Sequence, residues 1–197
     1  MIEVKVYFDY VCPYCLVANE NIHRFAAKYP AVHFDYSPWE IVPEAPVEGI
    51  TLEYDSVDPR IARLAEEAGL WMRAPKIQPN SHMALLGFFY AKARGKEARY
   101  TDAVFDALWN HDENIGQLHS LSEVVGKIGL DPVEFRDQLA TGRDSYEEIL
   151  ARSERDAVTD KIKLVPTFVF GQSQIIGNVS AKQIESFIKH ALASREK

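Results

Sequence analysis

Cysteine is scarce in this chain: 197 residues contain two, Cys12 and Cys15. A small secreted protein held by a disulfide framework carries more of them, spread along its length, so that class is excluded. No apolar run approaches the roughly 18 residues that a membrane-crossing helix needs. Basic residues are also short: 22 Lys and Arg stand against 29 Asp and Glu, for a formal net charge of -7. That field repels polyanions, which argues against nucleic acid and against anionic membrane surfaces as partners. The opening stretch Met1-Ile2-Glu3-Val4-Lys5-Val6-Tyr7-Phe8 has a charge breaking every apolar pair. It lacks the continuous apolar core and small-residue cleavage site of a signal peptide. The expected location is the cytoplasm, although a mature exported chain given a new methionine would read the same way.

What is present is the balance of a soluble globular protein, with 47% hydrophobic and 26% charged residues. The length suits one large domain, or a small domain carrying an insertion. Ile2, Val4, Val6 and Phe8 alternate with Glu3, Lys5, Tyr7 and Asp9, which is the period of a strand. Past Val11-Cys12-Pro13-Tyr14-Cys15 the period becomes helical, through Leu16, Val17, Ile22, Phe25 and Ala26 to about Tyr29. Val32, Phe34 and Tyr36 then mark a second strand, completing a βαβ unit. Prolines 38, 43 and 46 with Gly49 predict a loop to about Ile50. Roughly a hundred residues with helical period follow. They include expected capping boxes at Ser120-Leu121-Ser122-Glu123 and Asp131-Pro132-Val133-Glu134, and a stripe of Tyr146, Ile149, Leu150 and Ala157. Val165 to Phe170 reads as a strand, Gly171-Gln172 as a turn, Gln174 to Ile176 as a return strand, and Ser180 as the cap of a last helix. The two ends lack a core when taken separately. Residues 1–50 and 158–197 are therefore expected to pack as one unit, around a helical insertion over 51–157.

The chemistry centres on Cys12-Pro13-Tyr14-Cys15, where a strand becomes a helix. Unsatisfied N–H groups and the helix dipole favour a thiolate at a helix start, and the thiolate is the nucleophile. Pro13 suits the first helical position, where its missing N–H does no harm. Two intervening residues bring the sulfurs within bonding distance across one turn, with Cys12 the exposed attacker and Cys15 the shielded resolver. Two plainer readings stand beside this one. The pair is half of a zinc site, although none of the six histidines forms a pair with the spacing of zinc ligands. Or the two are ordinary buried residues at a helix start. Pro166, read alone, is a proline beginning an edge strand. Asp9 and Glu40 are candidates to relay a proton to Cys15, or simply solvated carboxylates near strand ends. Asn80-Ser81 reads as a helix cap, and Trp39 and Tyr14 as core aromatics or as part of an apolar surface around the sulfur.

Cys12-Pro13-Tyr14-Cys15 after the first strand, together with Val165-Pro166-Thr167 before a late one, resembles the thioredoxin fold with a helical insertion. Within it the chain is similar to the DsbA-like thiol–disulfide oxidoreductases, and specifically to their cytoplasmic FrnE-like branch. Asp9-Tyr10-Val11, Pro38-Trp39-Glu40 and Asn80-Ser81-His82 extend the likeness. The resemblance implies an α/β fold with a four-stranded mixed sheet, βαβ–ββα, and a large all-helical insertion. It implies that Cys12 and Cys15 are catalytic. Pro13, Tyr14, Val165, Pro166 and Thr167 would form the substrate-binding surface. Pro166 would be a cis-proline beside the Cys12 sulfur, presenting the Val165 backbone to an extended peptide and keeping metal away. Substrates would be protein or low-molecular-weight thiols and disulfides, with no metal or organic cofactor and with glutathione as redox partner. Two departures stand out. The second cysteine pair of some FrnE-like proteins is missing, and Pro13-Tyr14 is the dipeptide of glutaredoxins. Related proteins with the same insertion are glutathione-dependent isomerases or transferases, though they usually lack the second cysteine. A peptide-binding holdase is the non-enzymatic alternative.

Overall fold

The computed structural model describes residues 1–53 and 56–194. Residues 54–55 of the expected insertion and 195–197 of the expected outer unit lie outside the described residues. The chain runs β1 (Ile2–Phe8), α1 (Pro13–Lys28), β2 (Val32–Pro38), β3 (Ile50–Thr51), α2 (Pro59–Ala68), β4 (Ile77–Gln78), α3 (His82–Lys92), α4 (Glu97–His111), α5 (Leu118–Lys127), α6 (Pro132–Thr141), α7 (Arg143–Thr159), β5 (Thr167–Phe170), β6 (Ser173–Ile176) and α8 (Ala181–Ser194). Four strands form a mixed sheet in the order β2-β1-β5-β6. β1 pairs parallel with β2, from Ile2 opposite Val32 to Phe8 opposite Pro38. It pairs antiparallel with β5 through Lys5–Val169, Val6–Phe168 and Tyr7–Thr167. β5 turns back into β6 at Gly171-Gln172. This is the expected thioredoxin fold with a helical insertion.

β1 lies between two partners, and its alternation fades accordingly: Val4, Val6, Tyr7 and Phe8 are all buried. α3 is buried on every side, without a break from Ala84 to Ala91, and so forms the axis of the insertion rather than an amphipathic surface helix. Phe88 of α3 meets Phe8 of β1 edge-on at 5.6 Å between ring centroids, and Phe8 meets Tyr10 and Tyr36 in the same way at 5.2 Å. One hydrophobic cluster thus joins sheet and insertion.

Three local expectations are corrected. The predicted helical period does not run unbroken, because residues 69–81 leave the helix after the left-handed Gly69 and form a short ribbon in which β4 pairs with β3. Prolines 75 and 79 deny that stretch a helical ladder. Ser120 does not cap α5, which starts at Leu118 behind Gln117. An Asn114 side-chain turn, Oδ1 accepting from Gly116 N at 2.9 Å, starts the helix early, and Ser122 donates to Leu118 O inside it. Ile149 on α7 is exposed. Both remaining helix starts are capped, but the expected box at Asp131 forms by half, because the Glu134 carboxylate pairs with Arg94 instead of reaching back. Asp131 accepts from the Val133 and Glu134 N–H groups. Ser180 and Gln183 bond reciprocally, each side chain taking the other's N–H.

Candidate active site

β1 ends at Phe8, and four residues carry the chain to α1. Cys12 is the N-cap of that helix, with φ -88° and ψ 116°, and Pro13 fills the first turn without needing a hydrogen-bond acceptor. Among the described residues no side chain caps the helix. The Cys12 carbonyl instead accepts from the Cys15 and Leu16 N–H groups, at 3.0 and 3.3 Å. The approach to the helix is fixed from the insertion: Trp109 Nε1 of α4 donates to Tyr10 O at 3.0 Å, and the Tyr10 ring packs edge-on against Phe105. The sheet and the insertion therefore both position the cysteines.

Cys12 and Cys15 are both free thiols. The expectation of an exposed Cys12 is corrected, since Cys12 is 5% exposed and Cys15 2%. The covering group for Cys12 comes from the far end of the sequence: its Sγ donates to Val165 O at 3.4 Å, across 153 residues. The Val165–Pro166 peptide bond is cis, and Pro166 precedes β5 rather than lying inside it. Antiparallel pairing of β5 with β1 is what carries this loop to the end of β1, where the cysteines are. Thr167, fully buried, donates its hydroxyl to Leu164 O at 2.7 Å and so ties off the same loop. The Val165 carbonyl is thus brought to the Cys12 sulfur, with Pro166 and Thr167 following it in the chain.

Burial pushes the Cys15 thiol well above the usual range, and the neighbouring Cys12 sulfur adds to this. Asp9 is not a solvated carboxylate: it is fully buried, with Oδ2 accepting from Ile41 N at 2.8 Å and Oδ1 from Val11 N at 3.4 Å. Burial pushes its carboxyl up to about 6, over the opposition of the Ile41 N–H, the Ser81 hydroxyl and the Val11 N–H, and the charge of Glu40 acts in the same direction as burial. The Glu40 side chain is only 5% exposed, and its Oε2 accepts from His82 Nδ1 at 2.9 Å. Asn80 caps α3 through the His82 N–H, at 2.9 Å, while its amide donates to Pro43 O and Ala45 O. Tyr14 and Trp39 are half-buried against the core. His82 and its second partner, Glu147, were not singled out from sequence as chemical groups. No spacing links positions 40, 82 and 147, and only the packing of α3 and α7 beside the end of β2 joins them.

Beside the motif a cavity of about 220 Å³ opens. Its lining includes Val11 and Pro13, Leu108 and Trp109 of α4, and Pro75 and Ile77 of the ribbon segment. Among the described residues, no group of three or more His, Cys, Asp or Glu side chains is arranged to hold a metal ion. None of the described helices is long and apolar enough to cross a membrane.

The chain is 30% identical to an uncharacterized protein, YwbO, of Bacillus subtilis over 198 residues, covering 95% of this chain and 96% of that one. It is 27% identical to a 2-hydroxychromene-2-carboxylate isomerase of Pseudomonas putida, over 93% of this chain and 92% of the isomerase. Among solved structures, a probable DsbA oxidoreductase of Streptomyces coelicolor superposes with a TM-score of 0.82 at 20% identity, covering 98% of this chain and 91% of that one. The cytosolic disulfide reductase DsbM of Pseudomonas aeruginosa, solved with GSH, gives 0.70 at 14% identity, covering 98% of this chain and all of that one. At these identities the two structures establish a shared fold. Residues 3–189 match the DSBA-like thioredoxin domain, so that nearly the whole chain, cysteine pair and late proline included, belongs to the DSBA-like thioredoxin-domain family.

Proposed function

We propose that the protein exchanges thiols and disulfides through Cys12 and Cys15, without a metal or organic cofactor. The observation that carries this reading is a free dithiol at the start of α1 with the Cys12 Sγ set against the Val165 carbonyl. In the reductive direction, the Cys12 thiolate attacks one sulfur of a substrate disulfide. A Cys12–substrate S–S bond forms, and the other substrate sulfur leaves with the electron pair. Cys15 then passes its proton to the Asp9 carboxylate and attacks Cys12 Sγ. The second substrate sulfur leaves as a thiolate, so the substrate is reduced and the protein holds a Cys12–Cys15 disulfide. The oxidative direction is the same sequence reversed. Pro13, Tyr14, Val165, Pro166 and Thr167 form the surface that receives the substrate.

Protein disulfides and low-molecular-weight disulfides are the proposed substrates, with glutathione as redox partner in the cytoplasm. The FrnE-like branch is the proposed position within the family. A fold neighbour that is a cytosolic disulfide reductase solved with GSH supports both the partner and the location. A second reading, a glutathione-dependent isomerase of small molecules, is favoured by the 27% identity to the Pseudomonas putida isomerase and by the cavity beside Val11 and Pro13. Cys15 separates the two readings. In a dithiol enzyme Cys15→Ser blocks intramolecular release, so mixed disulfides accumulate on Cys12 and show on a non-reducing gel. A Cys15→Ser variant that turns over a protein disulfide at the wild-type rate would rule out the dithiol mechanism.

A further inference from the structure

Glu40 leaves β2 just beyond Pro38 and sends its carboxylate inward. One oxygen meets His82; the other, Oε1, is buried with no hydrogen-bond partner among the described residues. A carboxylate so placed is costly unless a cation lies against it. His82, the first residue of α3, supplies that cation and is itself held from the far side. Its Nε2 donates to both Glu147 oxygens, at 3.0 and 2.9 Å, and Arg143 Nε donates to the same carboxylate at 2.8 Å. The bridge therefore joins the loop after β2, the start of α3 and the first turns of α7. Its inner end adjoins Asp9, whose carboxylate accepts the N–H of Ile41, the residue after Glu40.

We propose that His82, anchored by Glu147, is a positioning residue of the thiol site: its charge offsets that of Glu40 beside Asp9, and through Asp9 it governs when Cys15 can give up its proton. The inference rests on the dithiol reading above. The ionisable groups that these segments bring together are Asp9 at the end of β1, Tyr10 beside it, Cys12 and Cys15 on α1, Glu40 after β2, His82 on α3, and Arg143, Glu147 and Glu154 on α7. Arg143 bonds Glu147 at the outer end, which leaves His82 as the cation bonded to Glu40. The Glu40 hydrogen bond, followed by Glu147, raises the His82 pKa to about 9 against the opposing effect of burial, so the imidazole is cationic at neutral pH. Without it, Asp9 faces an uncompensated Glu40 and becomes a base only at higher pH.

The test is the titration of the Asp9 side-chain carbon by NMR, assigned with Asp9→Asn, in the full-length protein. The wild-type midpoint is expected at about 6. His82→Gln, which keeps a donor but loses the charge, should move it up by about one pH unit. Glu40→Gln should move it down. His82→Arg should restore the wild-type value. The acid limb of Cys15-dependent release should follow, slowing His82→Gln about fivefold at pH 6 in line with the ionised fraction of Asp9. An unchanged or lowered Asp9 midpoint in His82→Gln would overturn the proposal. So would a loss of rate by one factor at every pH, which is the mark of a merely structural role. Should His82→Gln fail to fold, Glu40→Gln alone decides, and a midpoint that stays or rises there refutes the coupling. The titration needs no turnover, so a wild-type protein without exchange activity would sink the dithiol reading and leave this result to stand on its own.

Discussion

Asp9 is a fully buried carboxyl between β1 and the cysteine pair. Its folded-state pKa of about 6 lies above the ordinary carboxylate value. The stability this group contributes is therefore fully present below the unfolded pKa and lost as pH rises through 6. At neutral pH the ionised, buried carboxylate is a net cost. Asp9→Asn removes the charge while an amide oxygen can still accept the Ile41 N–H. It should raise stability at pH 7 by roughly 1–3 kcal/mol, the size of a two-unit displacement less the disturbed hydrogen bonding. The gain should vanish below about pH 4, and resolution by Cys15 should slow. Denaturant melts at pH 7 and pH 4 read the first effect; a stopped-flow release assay reads the second. Equal ΔΔG at both pH values would mean that folding does not raise the Asp9 pKa above its unfolded value.

α3 is the element on which the rest of the insertion is arranged, and its weakest tolerance is at Gly87. A Cβ there would run into the Tyr100 hydroxyl and the Phe135 ring, and that hydroxyl is already committed to Ala84 O at 3.1 Å. Gly87→Ala, a change that favours an isolated helix, should here destabilise the protein by about 1–3 kcal/mol through overpacking. A melting temperature equal to or above wild type would show that α4 and α6 yield more easily than their packing indicates. At this scale much of the fold was legible in the sequence. The period of two in β1 and β2, the shift of period at Cys12, and the Asp131 and Ser180 caps all follow from local chemistry. The β3–β4 ribbon did not, because two-residue strands carry no period. The early start of α5 was hidden because a serine in the first turn of a helix and a serine at its cap give the same pattern. Within the site, Cys12, Cys15 and Pro166 were legible from spacing and resemblance. The Glu40–His82–Glu147 bridge was not, because each residue sits on a different element and acquires meaning only when α3 and α7 pack beside the end of β2.

The whole molecule explains why the site needs both ends of the chain. The start of α1, just past β1, supplies the cysteines and the segment before β5 the loop that meets them, while α4 holds the approach to Cys12 through Trp109 and Tyr10. One continuous core binds sheet and insertion, so the distance between Cys12 and Val165 is fixed by the entire fold rather than by any local motif. A dithiol built this way should behave as a two-electron switch. The most direct measurement is a redox titration of the folded protein against reduced and oxidised glutathione, with free thiols alkylated and the products weighed by mass spectrometry. Cys12 and Cys15 should pass together from two alkylated thiols to one intramolecular disulfide, in a single transition with two-electron dependence. A protein that stays fully alkylated across the range, or that ends with glutathione on Cys12 and a free Cys15, would contradict the dithiol mechanism.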